Sequence, residues 1–95
     1  MTMAPTETAE ARLKRLRMRS WRRGTKEMDM ILGPWADAHL AGLSESRLAV
    51  YEILLEENDQ DLYRWVTSAE PAPAAIVGLL DEIGAFARGR FRPGA

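Results

Sequence analysis

Arg23, Gly24 and Glu27 bring a guanidinium, a position without a side chain and a carboxylate together within five residues. A guanidinium forks onto carboxylates or carbonyl oxygens. A glycine lets the backbone bend, or lets another surface come close. A bend flanked by opposite charges is therefore either a helix junction or a contact site. On the residues alone the junction reading leads. Gly24 then serves as the C′ residue that ends a first helix, and Glu27 lies near the positive end of the next helix's dipole. In the contact reading, the bare backbone at Gly24 admits a partner while Arg23 and Glu27 offer opposite charges on either side.

Other chemistries find little support. The chain has no cysteine, which excludes disulfides, thiolate metal sites and cysteine nucleophiles. The single histidine, His39, falls on an apolar helical stripe, where packing or a boundary hydrogen bond is the first reading and a catalytic base the second. No serine, second histidine and acid form a triad, and there is no glycine-rich phosphate loop. Glu56, Glu57, Asp59 and Asp61 read as a solvated face plus a helix cap, with at most a weak hard-cation site among them. The chain is expected not to be an enzyme, with no catalytic residue and no metal ligand.

The whole chain of 95 residues is 46% hydrophobic and 28% charged, the profile of one small folded domain. Its formal charge of −1 conceals a polarity. Arg12, Lys14, Arg15, Arg17, Arg19, Arg22, Arg23 and Lys26 are eight cations with no acid among them, whereas residues 27–87 hold twelve acids against Arg47 and Arg64. A basic edge on an acidic body has three readings: it tracks a nucleic-acid backbone, it docks on an acidic protein surface, or its arginines pair with the body. The apolar face of that first segment is too narrow for a membrane anchor, and no stretch is long enough to span a bilayer. There is no signal-peptide pattern, and Glu7 and Glu10 argue against a presequence, so a cytoplasmic, bacterial protein is expected.

The elements that must position these residues all read as helices. A first helix is expected from about Glu7 to Arg22, with Leu13, Leu16 and Ser20 or Trp21 inward. A second, starting at or after Gly24, carries Met28, Ile31, Leu32, Trp35 and His39 on one stripe, with a kink or break at Gly33-Pro34. Ser44 caps a third helix bearing Leu48, Tyr51, Leu54 and Leu55, with Val50 at the margin of that stripe. Asp59 is expected to cap a short fourth helix with Leu62, Trp65 and Val66 inward. Pro71-Ala72-Pro73 leads into a fifth helix carrying Ile76, Leu79, Leu80, Ile83 and Phe86. The expected fold is all-α, a compact bundle of about five helices over residues 7–87, between flexible termini at 1–6 and 88–95.

The run Arg22-Arg23-Gly24-Thr25-Lys26-Glu27-Met28-Asp29 resembles the R-G-x-x-E motif region of the succinate dehydrogenase assembly factor 2 family, whose bacterial members are called SdhE. The likeness extends to the arginine-rich helix before it and to Pro34 followed by Trp35. It also takes in Leu54-Leu55-Glu56-Glu57-Asn58-Asp59-Gln60-Asp61-Leu62-Tyr63-Arg64-Trp65-Val66, which is similar to the family's L-L-E-x-x-D-x-D-L-x-x-W segment. Gln60 departs from members that have proline after the cap. The resemblance implies a helical, monomeric assembly chaperone. Such a chaperone binds the flavoprotein subunit of succinate dehydrogenase or fumarate reductase and promotes covalent attachment of FAD to a histidine of that partner. It implies no stably bound cofactor and makes Arg22, Arg23, Gly24, Glu27, Met28, Asp29, Asp59, Asp61 and Trp65 the partner-binding residues. A small nucleic-acid-binding regulator using the basic helix is the alternative, and an antitoxin label also attached to the family is a weaker one.

Overall fold

Five α-helices and no strand make up the described residues, 7–67 and 69–90, of the computed structural model. They are α1 Ala9–Trp21, α2 Lys26–His39, α3 Glu45–Leu55, α4 Asp59–Val66 and α5 Val77–Arg90, with one 3-10 turn, Leu40–Gly42, after α2. The all-α bundle read from periodicity is the fold observed. Of the two termini expected to be flexible, residues 1–6 lie outside the described residues. α5 continues through Arg90, three residues into the expected tail, and residues 91–95 again lie outside.

Local chemistry sets each helix start. Thr8 accepts from the Ala11 N–H and begins α1, two residues later than expected from periodicity. Thr25 accepts from the Met28 N–H and begins α2, and Ser44 accepts from the Arg47 N–H and begins α3, as its sequence context predicts. The fourth cap corrects the sequence reading: Asn58, not Asp59, accepts from the Asp61 N–H at 2.8 Å, while its own amide donates to the Asp61 carboxylate at 2.8 Å. This reciprocal cap leaves the Asp59 side chain free for another use.

Helix α2 is the hub, packing on α1, α4 and α5. Met28, Leu32 and Trp35 from its stripe are buried with Leu16 of α1, Tyr51, Leu54 and Leu55 of α3, Leu62 of α4, and Leu80 and Ile83 of α5. Burying each such side chain favours folding by about 1.5–3 kcal/mol. Tyr51 closes the core with a polar contact, its hydroxyl lying 2.5 Å from that of Ser20, which itself donates to the Leu16 carbonyl at 2.7 Å. Burial pushes the Tyr51 phenol up to about 12, against smaller opposing effects of the Ser20 hydrogen bond and of Arg23 and Arg19.

Two readings of α2 are sharpened: there is no break at Gly33-Pro34, and His39 sits at the boundary of the core, as the packing reading has it, rather than inside it. The helix continues through Gly33-Pro34 as one element. The lost hydrogen bond at Pro34 is outweighed by packing on both sides of it, where Leu32, Trp35 and Ala36 are all buried. His39 is exposed rather than in the core: it stacks on Trp35 at 5.1 Å between ring centroids and meets Phe86 edge-on at 5.1 Å. Gly33 has a packing reason. A Cβ there would lie 2.3 Å from the Trp21 ring, so the indole rests directly on bare α2 backbone while its Nε1 donates to Asp37 at 3.2 Å.

Candidate functional site

Between α1 and α2 the chain turns through Arg22 to Thr25. Arg22 is the C-cap of α1, its N–H reaching the Arg19 carbonyl, so Gly24 sits one position beyond the C′ residue expected of it. Gly24 adopts φ +109°, a conformation that L side chains rarely take. The turn is held from both ends. The Arg23 N–H donates to Asp29 Oδ1 at 2.6 Å, and the Thr25 hydroxyl, besides capping α2, donates to Asp59 Oδ2 at 3.4 Å.

The Arg23 guanidinium does not face outward. Its Nε donates to Asp59 Oδ1 at 2.8 Å, Nη1 to the Leu55 carbonyl at 2.7 Å and Nη2 to the Glu57 carbonyl at 2.6 Å. The Arg23 side chain is only 9% exposed and that of Asp59 12%. One arginine thus satisfies the last carbonyl of α3, where a cation is favoured, and one of the turn that follows it, and pairs with the first residue of α4. It ties the α1–α2 turn to the α3–α4 turn, two segments more than thirty positions apart in sequence.

Over this clamp lies a shallow cleft of about 360 Å³ lined by Thr25, Glu27, Asp59, Gln60, Tyr63 and Arg64. Arg64 is committed to Asp61 and, at 3.1 Å, to Glu70, and Asp59 is committed to Arg23. Among the described residues, Glu27 is the acid lining this cleft that has no cationic partner. A bare glycine, an unpaired exposed carboxylate and a 44%-exposed Tyr63 therefore share one face.

The residues expected to bind a partner divide into groups. Arg23, Asp29 and Asp59 are joined as an internal brace, and Gly24 and Glu27 are exposed beside it. Arg22 is exposed on the α1 side. Asp61 belongs to the α4 cap and the Arg64 pair. Met28 is 1% exposed and Trp65 packs half-buried against the core, so these two shape the surface from beneath. Sequence reasoning missed Thr25, Asn58 and Tyr63 as contributors. Tyr63 was findable, because the inward stripe Leu62, Trp65 and Val66 leaves it on the opposite side of α4.

Four of the eight cations of the basic run are paired with acids of the same chain. Arg12 meets Glu52 at 2.5 Å and Glu45 at 2.6 Å, Arg15 meets Glu7 at 2.8 Å, and Arg19 meets Glu56 at 3.0 Å. The hydrogen bond from Arg15 holds the Glu7 carboxyl below its usual range, and those from Glu45 and Glu52 raise the Arg12 guanidinium. Pairing with the acidic body, the third of the readings open to this helix, thus accounts for Arg12, Arg15, Arg19 and Arg23.

A family model described as flavinator of succinate dehydrogenase matches residues 14–87, which contain the clamp, the cleft and the core. The chain belongs to this family. Similar proteins include succinate dehydrogenase assembly factor 2-A, mitochondrial, of Drosophila sechellia, 38% identical over 84 residues that cover 82% of this chain and 52% of the relative. Succinate dehydrogenase assembly factor 2, mitochondrial, of Meyerozyma guilliermondii is 44% identical over 61 residues, covering 64% and 45% respectively. The chain thus spans about half the length of the curated relatives it matches. Its R-G-x-x-E residues lie in the α1–α2 turn and the first turn of α2, and the L-L-E-x-x-D-x-D-L-x-x-W segment supplies the carbonyls and the carboxylate that Arg23 grips. The family's two sequence signatures are therefore one structural unit. No helix among the described residues is long and apolar enough to cross a membrane.

Proposed function

We propose that this chain is an assembly chaperone that binds the flavoprotein subunit of succinate dehydrogenase, with that of fumarate reductase as a second candidate client, and promotes its covalent attachment to FAD. The observation that carries the proposal is the surface made by Gly24 and Glu27: bare backbone held at positive φ beside a carboxylate without an internal partner. Bond formation between flavin and histidine is chemistry of the cofactor and the client. The chaperone contributes a rigid face that favours the client conformation in which the two groups meet, a shift of population rather than a catalytic step. FAD is carried by the client, and the chaperone acts as a monomer without a bound cofactor or metal.

Within this mechanism Arg23 holds the turn, Gly24 admits the client's backbone, and Glu27 pairs with a client cation. The test is in-gel flavin fluorescence of the flavoprotein subunit produced with and without this chain. Fluorescence that survives denaturing electrophoresis should rise when the chain is present. Equal fluorescence in both samples refutes the proposal.

A further inference from the structure

The face of α1 opposite the buried Leu16 and Ser20 carries a shallow groove of about 460 Å³, lined by Ala11, Lys14, Arg15, Met18, Arg19 and Arg22. All of these come from α1 or its C-cap, so no neighbouring helix covers this face among the described residues. Its apolar centre is Met18, 43% exposed. Every charged side chain lining the groove is a cation. Arg15 is paired with Glu7 and Glu52, and Arg19 with Glu56, whereas Lys14 and Arg22 have no acid partner among the described residues. Glu10, the one acid within α1, is also unpaired, and against it stand three unpaired cations, Lys14, Arg17 and Arg22.

We propose, resting on the assembly reading above, that this stripe is a second contact for the client and docks an acidic segment in which two carboxylates flank an apolar residue. Lys14 and Arg22 lie roughly 12 Å apart along the helix, with Met18 between them. The matching client segment is a helix with acids two turns apart, or a strand with acids about four residues apart. Its apolar residue covers Met18, whose flexible, polarisable side chain adapts to the shape it meets. Arg22 is two residues from Gly24, so the stripe continues from the turn that meets the client. The residues of this chain outside the described ones carry no acidic side chain, so they do not supply the complementary charge. A protein segment suits the stripe better than a nucleic acid. Glu45, Glu52 and Glu56 lie along the flank beside Arg12, Arg15 and Arg19 and repel a long polyanion, whereas a short acidic segment meets the stripe alone.

The experiment measures binding of the purified full chain to the purified apo flavoprotein subunit over a range of salt concentrations. Lys14→Glu combined with Arg22→Glu should weaken binding roughly tenfold at low salt, and the difference should shrink as salt screens the exposed charges. Lys14→Arg combined with Arg22→Lys should bind as the unmodified chain does. Both side chains are exposed, so circular dichroism and the thermal midpoint should stay near those of the unmodified chain. A photoreactive phenylalanine analogue in place of Met18 should crosslink to a client peptide with acids on both sides of an apolar residue. Undiminished binding of the charge-reversed chain overturns the stripe while leaving the assembly reading intact. Crosslinks to a second copy, to residues 1–6 of the same chain or to a client peptide without acids also overturn it. So does tighter binding to a short DNA duplex than to the subunit. If the unmodified chain does not bind the subunit at all, both readings fall together.

Discussion

Arg23 and Asp59 meet at 2.8 Å in a nearly solvent-free pocket, joining the first turn of the bundle to the third. Both residues belong to motifs that sequence comparison would assign to a partner. Their geometry assigns them first to the fold, where they hold Gly24 and Glu27 in position. A guanidinium that already donates to one carboxylate and two carbonyls has little left to offer another protein.

Removal of the clamp should therefore show in stability before function. Arg23→Ala leaves Asp59 and the Leu55 and Glu57 carbonyls without the guanidinium and should cost about 3 kcal/mol in urea denaturation. Arg23→Lys keeps the charge but cannot fork to three acceptors, so it should recover only part of that loss. A fully stable Arg23→Ala chain contradicts the clamp.

Gly24→Ala isolates backbone strain from steric exclusion. The nearest atom to an added Cβ is Asp59 Oδ2 at 3.9 Å, an ordinary contact, so the penalty comes from φ +109°. The expected cost is about 1–2 kcal/mol, measured by thermal or urea unfolding, with the helical signal retained.

Gly33→Ala should displace the Trp21 indole, since the ring lies 2.3 Å from the added methyl position. Trp21 is 38% exposed and has room to swing outward, which breaks its bond to Asp37. The change should appear as red-shifted tryptophan emission that is absent when Gly33→Ala is made in a Trp21→Phe background. Identical spectral changes in both backgrounds contradict this packing.

The Tyr51 phenol gives a pH signature. Its folded value of about 12 lies above the ordinary 10.0, so folding stability is intact below pH 10 and falls as pH rises towards 12. The sign follows because the native state keeps its proton where the unfolded chain has released it. The loss is on the order of 2–3 kcal/mol, and Tyr51→Phe should remove that part of the alkaline slope.

Much of this architecture was legible because helical periodicity reports burial directly: Met28, Leu32 and Trp35, and Tyr51, Leu54 and Leu55, occupy the core that their spacing predicts. His39 shows the limit of that logic, since a stripe traced one turn too far runs off the edge of the packed region. The Arg23 brace was not legible, because its acceptors are carbonyls of Leu55 and Glu57, which every residue possesses and no side-chain pattern marks. Asp59 was misread as a cap for a related reason: Asn58 is an equally good capping residue, and only the tertiary pull of Arg23 decides between them. The open surface was half legible. Gly24 and Glu27 announced themselves by type, whereas the cleft beside them exists only where α2 and α4 converge.

The central claim is that the Gly24 face acts on a client flavoprotein. The most direct measurement is covalent flavin on the flavoprotein subunit, read by fluorescence after denaturing electrophoresis, when it is co-produced with either the unmodified chain or Gly24→Glu. Circular dichroism must first establish that the variant is helical and folded. The account predicts strong fluorescence with the unmodified chain and background fluorescence with folded Gly24→Glu. Normal covalent flavin with the folded variant would contradict it.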